Sequence, residues 1–459
     1  MIDDSAVFAT LGVTTTALTV WTTIAAARRR RIGVDLFSLI VPLGIWTALV
    51  FGVVPLLMLM LDRFDPSELR GWSEVVAWVG AGFMLFVVAY RYSPRIWPPV
   101  RKTRLVEEWD ARRTFMAVAA LWIAGMIGNY LFYSAVGGVE HYTQHLSGRV
   151  ALWGKGLGPI RAMQDAGLSA LIVWFAFVMH ASHRRKFSPV LKWGVTIVLL
   201  LSTLLPTLPL GGRTAILRIF IHVMVIYHLL VRRIRPWQFA LSGMLLLAFA
   251  YVYGEARMFV GRGGSTVNLR SMVEELPDRG VRPLLVEYEQ YVTLCARIFD
   301  GVPNEVGYQL GRTYALGVVY FIPREIWTDK PDGQAAQLLS DVLYRGAWKG
   351  TSYITPTLWG EAFMNFGYLG LIVMPLIFGG MIGVLERSLL QAPVSSTHAA
   401  LYALAYRWVD GLGIGDFNNV TTMLLVQAAL LGAICYWLAK KKRGRLPTAQ
   451  MRRVLAMEP

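Results

Sequence analysis

Two arginines at the start of one apolar stretch carry the clearest chemical signal in the sequence. They lie in the run Leu210-Gly-Gly-Arg-Thr-Ala-Ile-Leu-Arg218, where two glycines let the backbone approach a ligand closely. A guanidinium group keeps its charge and binds phosphate oxygens with a forked geometry. Arginine within a membrane-crossing stretch is costly and is a functional hypothesis by default. Arg213 and Arg218 are therefore candidate phosphate ligands, although Arg213 could instead extend to lipid headgroups.

A second cluster places charges among aromatic rings and prolines. It is the run Tyr320-Phe-Ile-Pro-Arg-Glu-Ile-Trp-Thr-Asp-Lys-Pro-Asp332. Prolines stiffen the backbone, and rigid charges beside aromatic rings suit a glycan site. The alternative is a surface turn whose ion pairs are solvated and contribute little. The charged side chains of interest are Arg324, Glu325, Asp329 and Lys330.

A third feature is the segment Arg407-Trp-Val-Asp410, which puts opposite charges at helical spacing within an apolar stretch. Charges buried in a bilayer usually pair, so we expect a structural pair here. The glycine-rich segment 411–420 that follows should depend on this pair for its position.

Missing motifs narrow the chemistry. The chain has no Gly-x-x-x-x-Gly-Lys-Ser/Thr phosphate loop and no His-Glu-x-x-His pair. His141 and His145 are four residues apart, but no third ligand lies nearby, so we predict no metal site. The two cysteines, Cys295 and Cys435, cannot form a disulfide framework, because Cys435 lies in an apolar span. No cofactor is expected, and any substrate must arrive already activated.

The composition identifies an integral membrane protein. Hydrophobic residues make up 55% of the 459 residues and charged residues 16%, whereas a soluble protein would carry roughly a quarter charged residues. Mean hydropathy is +0.48. The net charge of +16 comes from short basic clusters between apolar runs, which is typical of loops facing anionic lipid. The sequence contains no basic domain that could bind nucleic acid.

Apolar runs of about 20 residues predict an all-α, polytopic membrane fold with about eleven spans. The predicted spans are 6–27, 36–61, 74–90, 114–136, 164–180, 193–208, 213–231, 238–254, 357–385, 397–410 and 421–439.

The distribution of basic residues predicts the orientation. Asp3 and Asp4 precede the first span, and four arginines at 28–31 follow it. A cleavable signal peptide has the reverse order, so we expect an uncleaved anchor with the N-terminus outside. The loops that are then cytoplasmic, together with a cytoplasmic C-terminal tail, hold more than half of the 45 Lys and Arg residues, as the positive-inside rule requires.

Three regions follow from this topology. We predict eight helices in 1–254, a large periplasmic loop with amphipathic helices in 255–356, and three helices with a basic tail in 357–459. Apolar residues at helical spacing predict one of the amphipathic helices within 282–299. A loop of this length is usually functional.

Three motifs together resemble the O-antigen or oligosaccharide repeat-unit polymerases of the Wzy type. The motifs are Gly212-Arg213-Thr214, Ile322-Pro-Arg-Glu-Ile-Trp-Thr-Asp-Lys-Pro331 and Trp359-Gly-Glu-Ala-Phe-Met-Asn-Phe-Gly367. The second is fairly specific, the third is intermediate and the first is weak. The resemblance extends to the span pattern and the large outer loop.

The resemblance implies a multispan, GT-C-like glycosyltransferase of the bacterial inner membrane. Its substrate would be an oligosaccharide on undecaprenyl pyrophosphate, with a chain-length regulator and a flippase as partners. The resemblance makes Arg213, Arg324 and Lys330 candidates for the pyrophosphate contact. A general base would deprotonate the acceptor hydroxyl, and its candidates are Glu361, Asp329, Asp410, Asp416, His141 and His145. Predicted substrate contacts are Arg218, Trp327, Arg257, Tyr320, Asn365 and His141.

Three other functions remain open at this point. A ligase that moves finished polymer onto another acceptor needs the same pyrophosphate contacts. A transporter or flippase of lipid-linked sugars would often show internal repeats and broken helices, and we find no convincing repeat. A non-catalytic scaffold of an export complex leaves the outer arginines unexplained.

Overall fold

The computed structural model shows a helical bundle with short strands at two of its loops. The described residues are 4–29, 33–61, 69–96, 106–144, 157–184, 186–209, 213–261, 282–319, 322, 326–329, 335–344, 355–390 and 394–442.

The described residues of the first part of the chain form ten helices. They are α1 (Asp4–Ala27), α2 (Ile40–Ala48), α3 (Val54–Met60), α4 (Leu69–Ile96), α5 (Ala111–Ala135), α6 (Gly138–Gln144), α7 (Gly158–Met179), α8 (Pro189–Thr207), α9 (Arg213–Leu230) and α10 (Pro236–Gly261). A π-helical turn, Leu49–Val53, joins α2 to α3 without a break.

Six helices follow among the residues described after 281. They are α11 (Arg282–Gly301), α12 (Arg312–Val319), α13 (Ala335–Leu338), α14 (Thr357–Leu389), α15 (Ser396–Ile414) and α16 (Phe417–Leu438). The helix α11 lies where the apolar spacing predicts an amphipathic helix, and it packs on α4 and α14.

In the part of the chain that the structure describes, the strands form two antiparallel pairs. The strand β1 (Arg28–Arg29) pairs with β2 (Gly33–Val34), with Arg28 opposite Val34. The strand β3 (Val106–Trp109) pairs with β4 (Ala439–Lys442), with Val106 opposite Lys442. The second pair joins the start of α5 to the end of α16.

Nine helical segments of the described chain are long and apolar enough to cross a membrane, which confirms the predicted polytopic helical fold. The predicted total of about eleven includes two further segments. One lies in α9, whose apolar part, Ala215–Leu230, is shorter than those nine. The other is α15, which is helical over Ser396–Ile414 but contains Arg407 and Asp410.

Several helices begin where the sequence provides a capping side chain. Asp110 accepts a hydrogen bond from Arg113 N (3.0 Å) at the start of α5. Ser188 and Ser395 accept from Leu191 N (3.2 Å) and His398 N (3.3 Å) at the starts of α8 and α15. Each bond satisfies a backbone donor that the first helical turn leaves without a partner.

The helices α4 and α14 approach closely because glycines line their contact. A Cβ added at Gly379 would lie 2.2 Å from the Phe86 carbonyl oxygen, and one at Gly383 would lie 2.2 Å from the Tyr90 oxygen. Small residues at helix contacts let backbones approach within a membrane, where packing rather than the hydrophobic effect drives association. These two glycines therefore fix the central helix pair of the bundle.

A buried polar cluster lies one turn beyond Gly383, at the C-terminal end of α14. The Glu386 carboxylate accepts hydrogen bonds from Ser38 Oγ (3.2 Å), Leu39 N (3.2 Å) and Tyr402 OH (3.1 Å), and also from Tyr90 OH. A charged group in a bilayer needs such partners. The cluster ties the chain before α2 to α4, α14 and α15.

Candidate functional site

The most elaborate polar site lies where α12, the beginning of α14 and the α15–α16 hairpin meet. The helix α14 is interrupted here, because Gly367 has φ 61° and ψ −144°. This backbone region is open essentially to glycine alone. The third sequence motif, 359–367, thus forms a short helical segment that ends at a required glycine.

The segment before α12 forms hydrogen bonds with the backbone of α14 next to the break at Gly367. Gln309 N and Leu310 N donate hydrogen bonds to the carbonyl oxygens of Met364 and Asn365, both at 3.1 Å. These carbonyls lose their helical partners at the break, and a backbone acceptor within a membrane protein must be satisfied internally. The contact therefore satisfies backbone groups that the break in the helix would otherwise leave without partners.

Asn365 joins three pieces of the chain. Its Oδ1 accepts from Gly311 N (2.9 Å), and its Nδ2 donates to Thr313 Oγ1 (2.8 Å) and to the Glu361 carbonyl oxygen (2.8 Å). The side chain is fully buried. Its polar atoms are thus used inside the protein, and the predicted substrate contact of Asn365 stays a prediction.

Glu361 lies one helical turn before Asn365 and reaches the α15–α16 hairpin. Its Oε2 accepts from Phe417 N at 2.6 Å, at the start of α16. A carboxylate at a helix N-terminus is favoured by the helix dipole. Thr313 lies beside the carboxylate, but Oε1 is buried without a hydrogen-bond partner among the described residues.

Further polar groups surround this carboxylate. Asp416 is 1% exposed and lies within electrostatic range of Glu361. Thr422 Oγ1 donates to the Gly317 carbonyl oxygen at 2.8 Å, which ties α16 to α12. Two acidic side chains and the start of a helix are therefore gathered at one end of the bundle. Such carboxylates can accept a proton, or a hydrogen bond from a sugar hydroxyl, when a substrate reaches them.

A second polar cluster lies between α7, α9, α15 and α16. Arg407 Nη1 donates to Gln427 Oε1 (2.9 Å), and Gln427 Nε2 donates to Asp165 Oδ2 (2.7 Å). Arg218, on α9, lies within electrostatic range of Arg407 and Asp165. Arg218, Arg407 and Gln427 line a cavity of about 70 Å³.

The predicted Arg407–Asp410 pair differs from what is found. Asp410 Oδ1 accepts from Trp46 Nε1 at 2.8 Å, whereas Arg407 binds Gln427. One helical turn separates the two residues on α15, and each side chain turns to a different neighbouring helix. The charges are thus held by separate hydrogen bonds to other helices.

The remaining predicted residues are spread over the molecule or lie outside the described part. Arg213 begins α9 and Arg257 lies in α10, but their side chains are not described. Trp327 is half-buried and Asp329 exposed in the short segment 326–329, and His141 is exposed on α6. Tyr320, Arg324, Lys330 and His145 lie outside the described residues. The structure thus brings together Glu361 and Asn365, while Arg218 belongs to the second cluster.

Sequence reasoning missed Asp165, Gln427 and Thr313. Asp165 had the clearest signal in the sequence, because a carboxylate inside an apolar run usually pairs with another polar group. Gln427 and Thr313 are polar but uncharged, and nothing in their local sequence indicates which helix they face. Within the part of the chain that the structure describes, no group of three or more His, Cys, Asp or Glu residues could hold a metal ion.

These features define a polytopic membrane protein with a buried acidic site at one end and an arginine-lined cavity beside it. Residues 337–410 match the protein-family model described as "Putative O-antigen polymerase". The match covers about a sixth of the chain and includes α14 and most of α15. No curated protein and no solved structure matches the chain. The family match supports the resemblance seen in the sequence and a role as a polymerase of a surface glycan.

Proposed function

We propose that this protein polymerises a bacterial surface glycan by transferring the growing chain from undecaprenyl pyrophosphate to a lipid-linked repeat unit. The observation that carries the proposal is the family match over 337–410. The matched segment contains Glu361 and Asn365 of the acidic site and Arg407 of the second cluster. The segment that the family model covers thus contributes residues to both polar sites.

The proposed reaction is a glycosyl transfer. A hydroxyl at the non-reducing end of the acceptor sugar attacks the anomeric carbon of the donor, and a new carbon–oxygen bond forms. The bond between that carbon and the pyrophosphate breaks, and undecaprenyl pyrophosphate leaves with the electron pair. The hydroxyl proton passes to a general base. Negative charge develops on the pyrophosphate, so fixed cations near it stabilise the transition state.

Arg213, Arg324 and Lys330 remain our candidates for that cationic contact. The start of α9 at Arg213 supports the first of them, because a helix N-terminus favours anions. Glu361 is the best-supported base candidate. It is a buried carboxylate with one oxygen that lacks a hydrogen-bond partner in the described part of the protein. Asp329, another carboxylate candidate, is exposed in the short segment 326–329.

The orientation belongs to the same proposal. With the N-terminus outside and the C-terminus in the cytoplasm, the end that holds Glu361 and the α15–α16 hairpin faces the periplasm. Residues 255–356 then form the large periplasmic segment, and α11 packs from it onto α4 and α14. A lipid-linked substrate would reach the site from the outer leaflet.

Purified protein in nanodiscs, supplied with lipid-linked repeat units from the host strain and no ATP or metal, tests the proposal. We expect a gel ladder of multiples, lost in Arg213→Ala and in Arg324→Ala. Arg113→Ala is the matched control, since Arg113 binds the Trp437 carbonyl oxygen at the predicted cytoplasmic end. Units that stay single with the correct lipid would contradict the proposal.

The same assay separates the ligase alternative. A ligase would leave repeat units single but would transfer preformed polymer to lipid A core or another added acceptor. A product of that kind, without a ladder, would replace the polymerase proposal.

A further inference from the structure

The cavity between α9, α15 and α16 is lined by two arginines that no carboxylate of the described residues contacts directly. It is lined by Arg218, Arg407, Trp408, Gly411, Leu424 and Gln427, among others. Arg218 Nε is buried there and has no hydrogen-bond partner among the described residues. A buried guanidinium donor without a partner is costly, so the site is built for a group that the protein does not itself supply.

The two carboxylates within electrostatic range of Arg218 are engaged in other hydrogen bonds. Asp410 accepts from Trp46, and Asp165 accepts from Gln427. Neither forms an ion pair with Arg218 or Arg407 in the described structure. Both carboxylates lie within electrostatic range of Arg218, and the two arginines line the same cavity.

Size and charge indicate the ligand. A cavity of about 70 Å³ has room for several water molecules and therefore for a group the size of a phosphate. Arginine is the side chain best matched to phosphate oxygens, because its forked donors are fixed in a plane. A helical bundle that buries two such groups around a small polar cavity has the properties of an anion site.

We propose that this cavity binds one phosphate group between Arg218 and Arg407, and that Gln427 and Asp165 position the Arg407 guanidinium. Gln427 occupies one donor of Arg407 through its Oε1, and Asp165 fixes the Gln427 amide from the other side. The chain Asp165–Gln427–Arg407 therefore orients the fork without neutralising it. That the phosphate belongs to a lipid pyrophosphate rests on the proposed function.

Binding is measured by native mass spectrometry on the full-length protein in phosphatidylcholine nanodiscs. Undecaprenyl pyrophosphate, phosphatidylglycerol and inorganic pyrophosphate are titrated separately. We expect Arg218→Gln and Arg407→Gln to weaken undecaprenyl pyrophosphate binding roughly 10- to 100-fold, as for lost hydrogen bonds to a charged group. Arg407→Lys should retain part of the affinity, because a point charge remains without the fork.

The positioning residues need a separate readout. Gln427→Leu should raise the Kd roughly 3- to 10-fold. The exchange Gln427→Glu with Asp165→Asn keeps both hydrogen bonds but places a carboxylate against Arg407, so it should restore the unfolding temperature without restoring phosphate binding. Gln164→Leu is the matched control, because it removes a similar interhelical bond, to Asn129 (3.0 Å), away from the cavity. If Arg407→Gln fails to fold, Gln427→Leu and Arg407→Lys still decide the question.

The outcomes separate the phosphate site from the polymerase. Arginine-dependent binding of any of the three phosphates supports the site, and the arm that responds identifies the source as carrier lipid, phospholipid or free anion. Binding unaffected by both arginine substitutions overturns the inference, even if the wild-type protein still makes a ladder. Arginine-dependent binding in a protein that makes no ladder would support the phosphate site and contradict the proposed polymerase function.

Discussion

At the scale of single residues, Glu361 has two separable properties. Its carboxylate caps α16 through Phe417 N, and it can take up a proton. Glu361→Gln keeps an acceptor oxygen for the cap but cannot act as a base, whereas Glu361→Ala loses both. If Glu361 is the base, Glu361→Gln should lower the polymerisation rate roughly 100-fold or more with an unchanged unfolding temperature. Near-normal ladders from Glu361→Gln, with failure of Glu361→Ala, would reduce its role to the cap.

Cys295 gives a residue-scale test of how α11 is packed. The side chain is fully buried in α11, and burial raises the pKa of its thiol to about 12. Only the thiolate reacts with alkylating reagents. We therefore expect maleimide not to label Cys295 in the folded protein between about pH 7 and about pH 9, where the thiol stays protonated. Labelling should appear after denaturation, in a Cys435→Ala background that leaves one cysteine. Rapid labelling of folded protein would show that α11 is not packed on α14 as described.

At the scale of helices, the contact between α4 and α14 makes a sharp stability prediction. A methyl group at Gly379 would meet the Phe86 carbonyl oxygen, so the two helices must separate in Gly379→Ala. We expect a loss of about 1–3 kcal/mol from overpacking and a clearly lower unfolding temperature in detergent. Gly432→Ala is the control, because nothing lies within 4 Å of the added Cβ. Equal unfolding temperatures for the two variants would contradict the close helix contact.

At the scale of the whole molecule, the order of the helices was predictable and the polar sites were only partly so. Long apolar runs mark the spans because the bilayer demands them, and α9 and α15 also appear where weaker runs predict helices. Glu361, Asn365 and Gly367 were visible as a motif, but their roles depend on Gly311, Thr313 and Phe417, which are distant in sequence. The hydrogen bond between Gln427 and Arg407 could not be predicted for the same reason, because the sequence of a helix does not show which helix packs against it.

The interruption of α14 at Gly367 also bears on how the protein matches the thickness of its bilayer. The full 33 residues of α14 would extend about 50 Å at 1.5 Å per residue, well beyond a hydrocarbon core of about 30 Å. The part after Gly367, residues 368–389, extends about 33 Å and is sufficient to cross the core alone. The segment 357–366 is therefore not needed to cross the hydrocarbon core. Glu361 and Asn365 would then lie at the depth of the lipid headgroups, where the phosphates of a membrane-bound carrier are found.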